Sequence, residues 1–166
     1  DPECFSGADG RTTIFDYWSL DKIRRWLAGG KPSQANLTDD EIALRNFYMK
    51  VLNIARSEEA ITRGRFFDLM YVNAESAGVN PHRHFAYLRN HGKETLLIAV
   101  NFDDKEADMR INIPYHAFDY LGLKEQECSA VELLTGRKAR KVVSSALPFT
   151  TKVPAHGAVI WKFTQK

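Results

Sequence analysis

His82 and His84 flank a single residue, Arg83, so an extended backbone there turns both imidazoles to one side. Two imidazoles could bridge a metal ion, but without a third ligand nearby they make a poor site, and the pair reads better as the polar approach to a strand. Cys4 and Cys128 lie far apart and lack the close second ligand of a zinc centre. They are also too few for a disulfide framework, and two reduced thiols are expected rather than a bridge. Arg137 to Lys141 spells RKARK, a basic run that could draw an acidic partner. Strand alternation would instead spread its charges over both faces of an exposed strand, which is how sheet edges are protected, and that reading is preferred.

The background composition is that of an ordinary globular chain. Of 166 residues, 44% are hydrophobic and 27% charged, which excludes a disordered segment. A net charge of +2, with no basic face of interleaved aromatics, gives no reason to expect a nucleic acid. No apolar run approaches the ~20 residues that cross a bilayer, so no membrane partner is expected. The chain opens at Asp1-Pro2 without Met, as a processed or excised piece would.

The elements that would position these groups are organised around Phe85 to Pro114. Phe85, Tyr87 and Arg89 alternate with Ala86, Leu88 and Asn90, and a second apolar run spans Thr95 to Phe102. Between them Asn90-His91-Gly92-Lys93 is a turn signal, with Gly92 available for a positive φ. A third run, Met109 to Ile113, stops at Pro114, and the three together read as an antiparallel meander. Leu97 and Ile98 are neighbours in an unbroken apolar run, so their strand should be buried on both faces.

Upstream, Leu20 to Ala28 reads as a short helix with Ser19 as N-cap and Gly29-Gly30 as its end. Asp39 to Arg56 is the strongest helix, with Thr38 and Glu41 placed for a capping box. Leu44, Phe47, Tyr48, Val51, Leu52 and Ala55 stripe one of its faces. Burying the four largest is worth about 6 to 12 kcal/mol, so the stripe is expected to be covered. Beyond Ile61 the texture becomes β: Arg65 to Val72, Ser129 to Leu134, Lys138 to Val143, Phe149 to Val153 and Ala158 to Phe163 read as strands, with one helical turn within Tyr115 to Leu123. The outline is mainly β, two helices followed by about eight strands folded as an antiparallel β-sandwich.

Several of these stretches, in this order, resemble the C-terminal part of glycoside hydrolase family 13, the α-amylase family. Asp9 to Trp18 (DGRTTIFDYW) is similar to the loop after the eighth strand of that family's (β/α)8 barrel, and Thr38 to Arg56 to its last barrel helix. AITRGRFFDL, Ala60 to Leu69, resembles the crossing into the all-β domain C. Phe85 to Phe102 matches an aromatic-Tyr-x-Arg strand followed by an apolar strand ending in Asn-Phe, and Val153 to Ala158 (VPAHGA) the turn before the last strand.

The resemblance implies residues 1–58 as the tail of the catalytic barrel, a loop and two helices, and 59–166 as a Greek-key β-sandwich, domain C. Family members hydrolyse α-glucosidic bonds with carboxylates on earlier barrel strands, and no stretch here matches those motifs. Retaining hydrolysis needs two carboxyl groups about 5 Å apart on a rigid frame. The resemblance therefore implies no catalytic residue, no metal and no cofactor. The family's Asn-His-Asp motif has a partial echo in Asn90-His91, but Gly92 replaces the Asp and the turn explains it.

Asp16, Tyr17 and Trp18 are the substrate-binding candidates the resemblance implies. A loop on the C-terminal face of a barrel borders its active site, and aromatic rings suit sugar faces as carboxylates suit hydroxyls. Plugging the barrel end is the other reading of these residues. The implied partners are the chain's own catalytic barrel in a longer parent and an α-glucan; without the barrel, the helix stripe is expected to meet a second copy or to fold back across the β-sandwich. For the parent, a starch- or malto-oligosaccharide-active hydrolase, the resemblance favours a secreted or periplasmic setting. The rival is a free-standing carbohydrate-binding module, which would display a row of aromatics on one β face. Trp161 sits among apolar neighbours and reads as core.

Overall fold

A computed structural model describes residues 21–27, 31–74, 76 and 78–164. The chain forms two compact units, Asp1–Lys50 and Val51–Lys166. In the first, α1 (Asp21–Trp26) precedes the start of α2 (Asp39–Ser57). Thr38 and Glu41 close the expected capping box. The Thr38 N–H donates to Glu41 Oε2 at 2.9 Å, and the Glu41 N–H to Thr38 Oγ1 at 3.3 Å. Arg25 pairs with Glu41, and the Arg45 guanidinium lies 4.9 Å from the Trp26 ring centroid. Ser19 and Gly29-Gly30, the expected ends of α1, lie outside the described residues.

Nothing among the described residues buries the α2 stripe. No residue of this helix is buried, and Leu44, Phe47, Tyr48 and Leu52 are 58, 48, 61 and 64% exposed. Helix formation here rests on the capping box and on helix-forming residues rather than on a core.

The second unit contains α3 (Glu59–Thr62), β1 (Arg65–Asp68), α4 (Met70–Asn73), β2 (His84–His91), β3 (Glu94–Asn101), β4 (Ala107–Ile111), α5 (Tyr115–Leu121), β5 (Gln126–Glu132), β6 (Lys138–Val143), β7 (Phe149–Val153) and β8 (Gly157–Thr164). The strand expected over Arg65 to Val72 stops at Asp68, whose Oδ1 accepts the Met70 N–H at 2.8 Å in an Asx turn that starts α4 instead.

Among the described residues eight strands make two antiparallel sheets, one ordered β1-β2-β3-β8-β5-β6 and the other β4-β7. The three-stranded meander is therefore corrected. β2 and β3 form the expected hairpin, closed by Gly92 at φ +56° and Lys93, but β4 leaves the sheet and pairs with β7. The cause lies at the end of β3. The Asn101 side-chain amide donates to the carbonyls of Lys105, Val153 and Pro154, tying the turn after β3 to the end of β7. β8 then takes the open edge of β3. Phe102, read as part of the apolar run, lies beyond β3 and is exposed.

The main core fills the space between the two sheets. Leu88, Leu97, Ala99, Trp161 and Phe163 from the large sheet meet Met109, Ile111, Phe149 and Val153 from the small one, and Phe118 and Leu121 of α5. Trp161 is fully buried and its Nε1–H donates to Thr151 Oγ1 at 2.9 Å. A smaller cluster covers the opposite face, where Leu96, Ile98 and Ile160 pack with Ala60 of α3 and with Ile54. β3 is thus buried on both sides, as its sequence requires.

Candidate functional site

The expected site residues Asp16, Tyr17 and Trp18 lie outside the described residues, as does Cys4. Cys128 is buried, with its thiol 3.7 Å from the Lys141 carbonyl. His82 is exposed, while His84 Nδ1 accepts the Asn80 N–H at 2.9 Å and burial pushes its imidazole below the ordinary value. The two histidines serve the turn before β2. Among the described residues no group of three His, Cys, Asp or Glu side chains gathers as a metal would require. Asn90-His91 sits at the β2–β3 hairpin, where Asn90 Nδ2 donates to Thr95 Oγ1 at 2.9 Å.

RKARK contributes to β6, an edge strand of the large sheet. Lys138 and Arg140 are exposed, Arg140 pairing with Glu127 at 2.8 Å. Lys141 points the other way, donating to the Thr150 carbonyl at 2.6 Å with its ammonium 4.4 Å from the Trp161 ring centroid. An inward-pointing lysine on an edge strand blocks pairing with a second sheet.

The buried or half-buried carboxylates are committed to structure. Glu132 is fully enclosed, its Oε1 accepting the Leu134 and Ile160 N–H groups and its Oε2 the N–H and hydroxyl of Thr135. Lys162 bridges Glu58 at 2.6 Å and Glu94 at 2.8 Å, and Glu94 also accepts the Ala60 N–H. Beside this bridge, Arg89 donates to the carbonyls of Ala60, Ile61 and Gly64 at 2.9, 2.6 and 2.8 Å. The first two are oxygens a short helix leaves open at its end. These arrangements hold elements together.

What the surface does present is aromatic. Phe66, Tyr87 and Phe85 form a row on the sheet face beside Arg89, with ring centroids 5.4 and 5.6 Å apart in succession. Their β2 members were legible as an alternation, whereas Phe66 joins them through the β1–β2 register, in which it stands opposite Arg89. On the other side of β1, Phe67 is ringed by Tyr71, His116 and Tyr120 with centroids 5.4 to 6.3 Å away. Sequence reading missed this second group because its members come from β1, α4 and α5.

No protein-family model matches the chain, and no curated protein matches it. Solved structures do. The chain is similar to a maltogenic α-amylase, AmyB, from Thermotoga neapolitana with a TM-score of 0.53 and 16% identity, over 82% of this chain and 29% of that one. An Anoxybacillus α-amylase matches with a TM-score of 0.52 and 23% identity, over 78% of this chain and 24% of its own. The α-amylase of Geobacillus thermoleovorans, solved with acarbose, matches at 0.53 and 17%, over 82% and 26%. The fold is that of an α-amylase C-terminal region. This chain thus spans about a quarter of the α-amylases it matches, and the likeness is one of fold.

The stretches that carried the family resemblance now have structural duties in that α-amylase fold. Arg89 of the aromatic-Tyr-x-Arg strand binds the carbonyls of the AITRG stretch, and Asn101 of the Asn-Phe ending holds those of Val153 and Pro154. A Cβ on Gly64 would stand 2.1 Å from the Ala60 carbonyl oxygen and 2.6 Å from that of Asn90, so this crossing requires a glycine.

Proposed function

We propose that the chain is the non-catalytic C-terminal part of an α-amylase-type glycoside hydrolase acting on starch or malto-oligosaccharides. In this reading residues 1–58 complete the catalytic barrel, and 59–166 form a β domain that packs on the barrel and stabilises it. The observation that carries it is the fold match, which covers about four-fifths of this chain but 22 to 29% of the α-amylases. The exposed stripe of α2 supports it, because large bare apolar surfaces are unusual on a free-standing monomer. The barrel of the parent would cover that stripe, and in its absence a second copy of the chain takes its place. Asp16, Tyr17 and Trp18 would border the glucan cleft of the parent.

A free-standing carbohydrate-binding module is the second reading, favoured by the Phe66–Tyr87–Phe85 row, whose two outer rings are exposed. The two separate on deletion of residues 59–166 from the longer parent. Loss of thermal resistance of its starch-hydrolysing activity is the expected result. Unchanged heat resistance with weakened starch adsorption would favour the binding module.

A further inference from the structure

An open cleft of about 460 Å³ lies where the α3–β1 connection, the β2–β3 turn and the C-terminal end of α5 meet, a volume in the range of small-ligand sites. Arg63, Arg65, His91, Asp119, Tyr120 and Gly122 line it. We propose that this cleft binds a segment of a neutral saccharide.

Three features point to that chemistry. The first is charge balance. Glu59 faces both Arg63, at 3.7 Å, and His91, at 3.5 Å, and Asp119 lines the cleft together with Arg65. With carboxylates beside its guanidinium groups, the cleft makes a weak anion site and a good set of donors and acceptors for hydroxyls. The second is preorganisation. Arg65 Nη1 donates to the Tyr120 carbonyl at 2.7 Å and its guanidinium lies 5.5 Å from the Tyr120 ring centroid. That hold fixes the fork of donors before any ligand arrives and lowers the entropy lost on binding.

The third is an aromatic wall that continues out of the cleft. Tyr120 is half exposed and stacks toward Phe67 at 6.1 Å, and Phe67 leads on to His116 and Tyr71, whose hydroxyl bonds the His116 ring. Rings with hydroxyl-bearing edges, next to balanced polar groups, match a ligand with apolar C–H faces and an equatorial rim of hydroxyls. A phosphate or acidic peptide would want the cations free of nearby carboxylates, and an apolar peptide would desolvate the charged groups of Arg65 and Asp119 without offering them hydrogen bonds.

The saccharide class follows from the cleft itself, whereas the expectation of an α-1,4-linked glucan rests on the proposed function. The test titrates the chain with maltoheptaose, cellohexaose and inorganic phosphate, following the amides of Gly92 and Gly122 and the Arg65 Nε–H by nuclear magnetic resonance. Maltoheptaose is expected to shift those signals, with Tyr120→Ala weakening binding by about tenfold or more, a change of about 1.4 kcal/mol. Asp119→Ala, at an exposed position, should weaken binding without touching the fold and serves if Tyr120→Ala unfolds. Shifts with cellohexaose alone would uphold the saccharide cleft while contradicting the glucan-hydrolase origin. No shift with either sugar, or shifts with phosphate alone, would overturn the cleft.

Discussion

Arg89 reaches across from β2 to hold the Ala60 carbonyl at 2.9 Å, and the same guanidinium closes on Gly64 at 2.8 Å. The contact joins the first crossing of the β unit to its central hairpin through a planar fork of donors. Lysine carries one compact ammonium and cannot serve carbonyls placed around such a fork. Arg89→Lys should lower stability by about 1.5 to 3 kcal/mol, measured as a shift in the urea midpoint. Gly64→Ala must displace backbone and should cost at least as much as ordinary overpacking, about 1 to 3 kcal/mol. Wild-type midpoints in both variants would remove the lock from the account.

The centre of the large sheet makes a second demand. Leu97 and Ile98 sit on opposite faces of β3, one in each core cluster, and both are buried. Truncating either to alanine should cost about 2 to 5 kcal/mol, in denaturant melts beside a surface control such as Lys93→Ala. Equal midpoints for the control and either core variant would show that β3 is not central.

Acid and alkali should each weaken the Glu94–Lys162 bridge, through different partners. Burial pushes the Glu94 carboxyl up, but the Lys162 ammonium and the Ala60 N–H overcome this and hold it below its ordinary 4.5. Burial pushes the Lys162 ammonium down, and Glu58 and Glu94 overcome that, leaving it above 10.5. A lowered carboxyl stabilises the fold fully above 4.5, and the contribution is lost as pH falls through the lowered value. A raised ammonium stabilises fully below 10.5, and that contribution is lost as pH rises through the raised value. The gap in thermal midpoint between wild type and Lys162→Met should be widest between these limits and narrow beyond each. A gap independent of pH would contradict the bridge.

Much of this organisation is legible in the sequence. Phe149, Thr151 and Val153 alternate cleanly, and the strand read there is β7 to the residue. Thr38 and Glu41 marked the start of α2 because a capping box is local chemistry. Strand order was not legible, since the departure of β4 depends on Asn101 meeting Pro154 across more than fifty positions. Asp68 ended β1 through its own side chain, a local signal outweighed in the reading by the apolar residues after it. The cleft beside Tyr120 escaped notice because Arg65, His91 and Asp119 come from separate stretches, each unremarkable alone.

The bare stripe of α2 bears on assembly. Leu44, Phe47 and Tyr48 are exposed, and pairing with a second copy would bury the same face twice. Light scattering should give a concentration-dependent dimer mass that Phe47→Glu with Val51→Glu reduces to a monomer. A wild type that stays monomeric at high concentration would contradict self-association through the stripe.

The central claim is that this chain supports a glycosidase without being one. Turnover of a chromogenic maltoside by the 166-residue chain, beside the longer parent, tests it most directly. The account predicts hydrolysis by the parent and none above buffer by the chain. Turnover by the chain that persists through repurification, and is competed away by maltoheptaose, would contradict it.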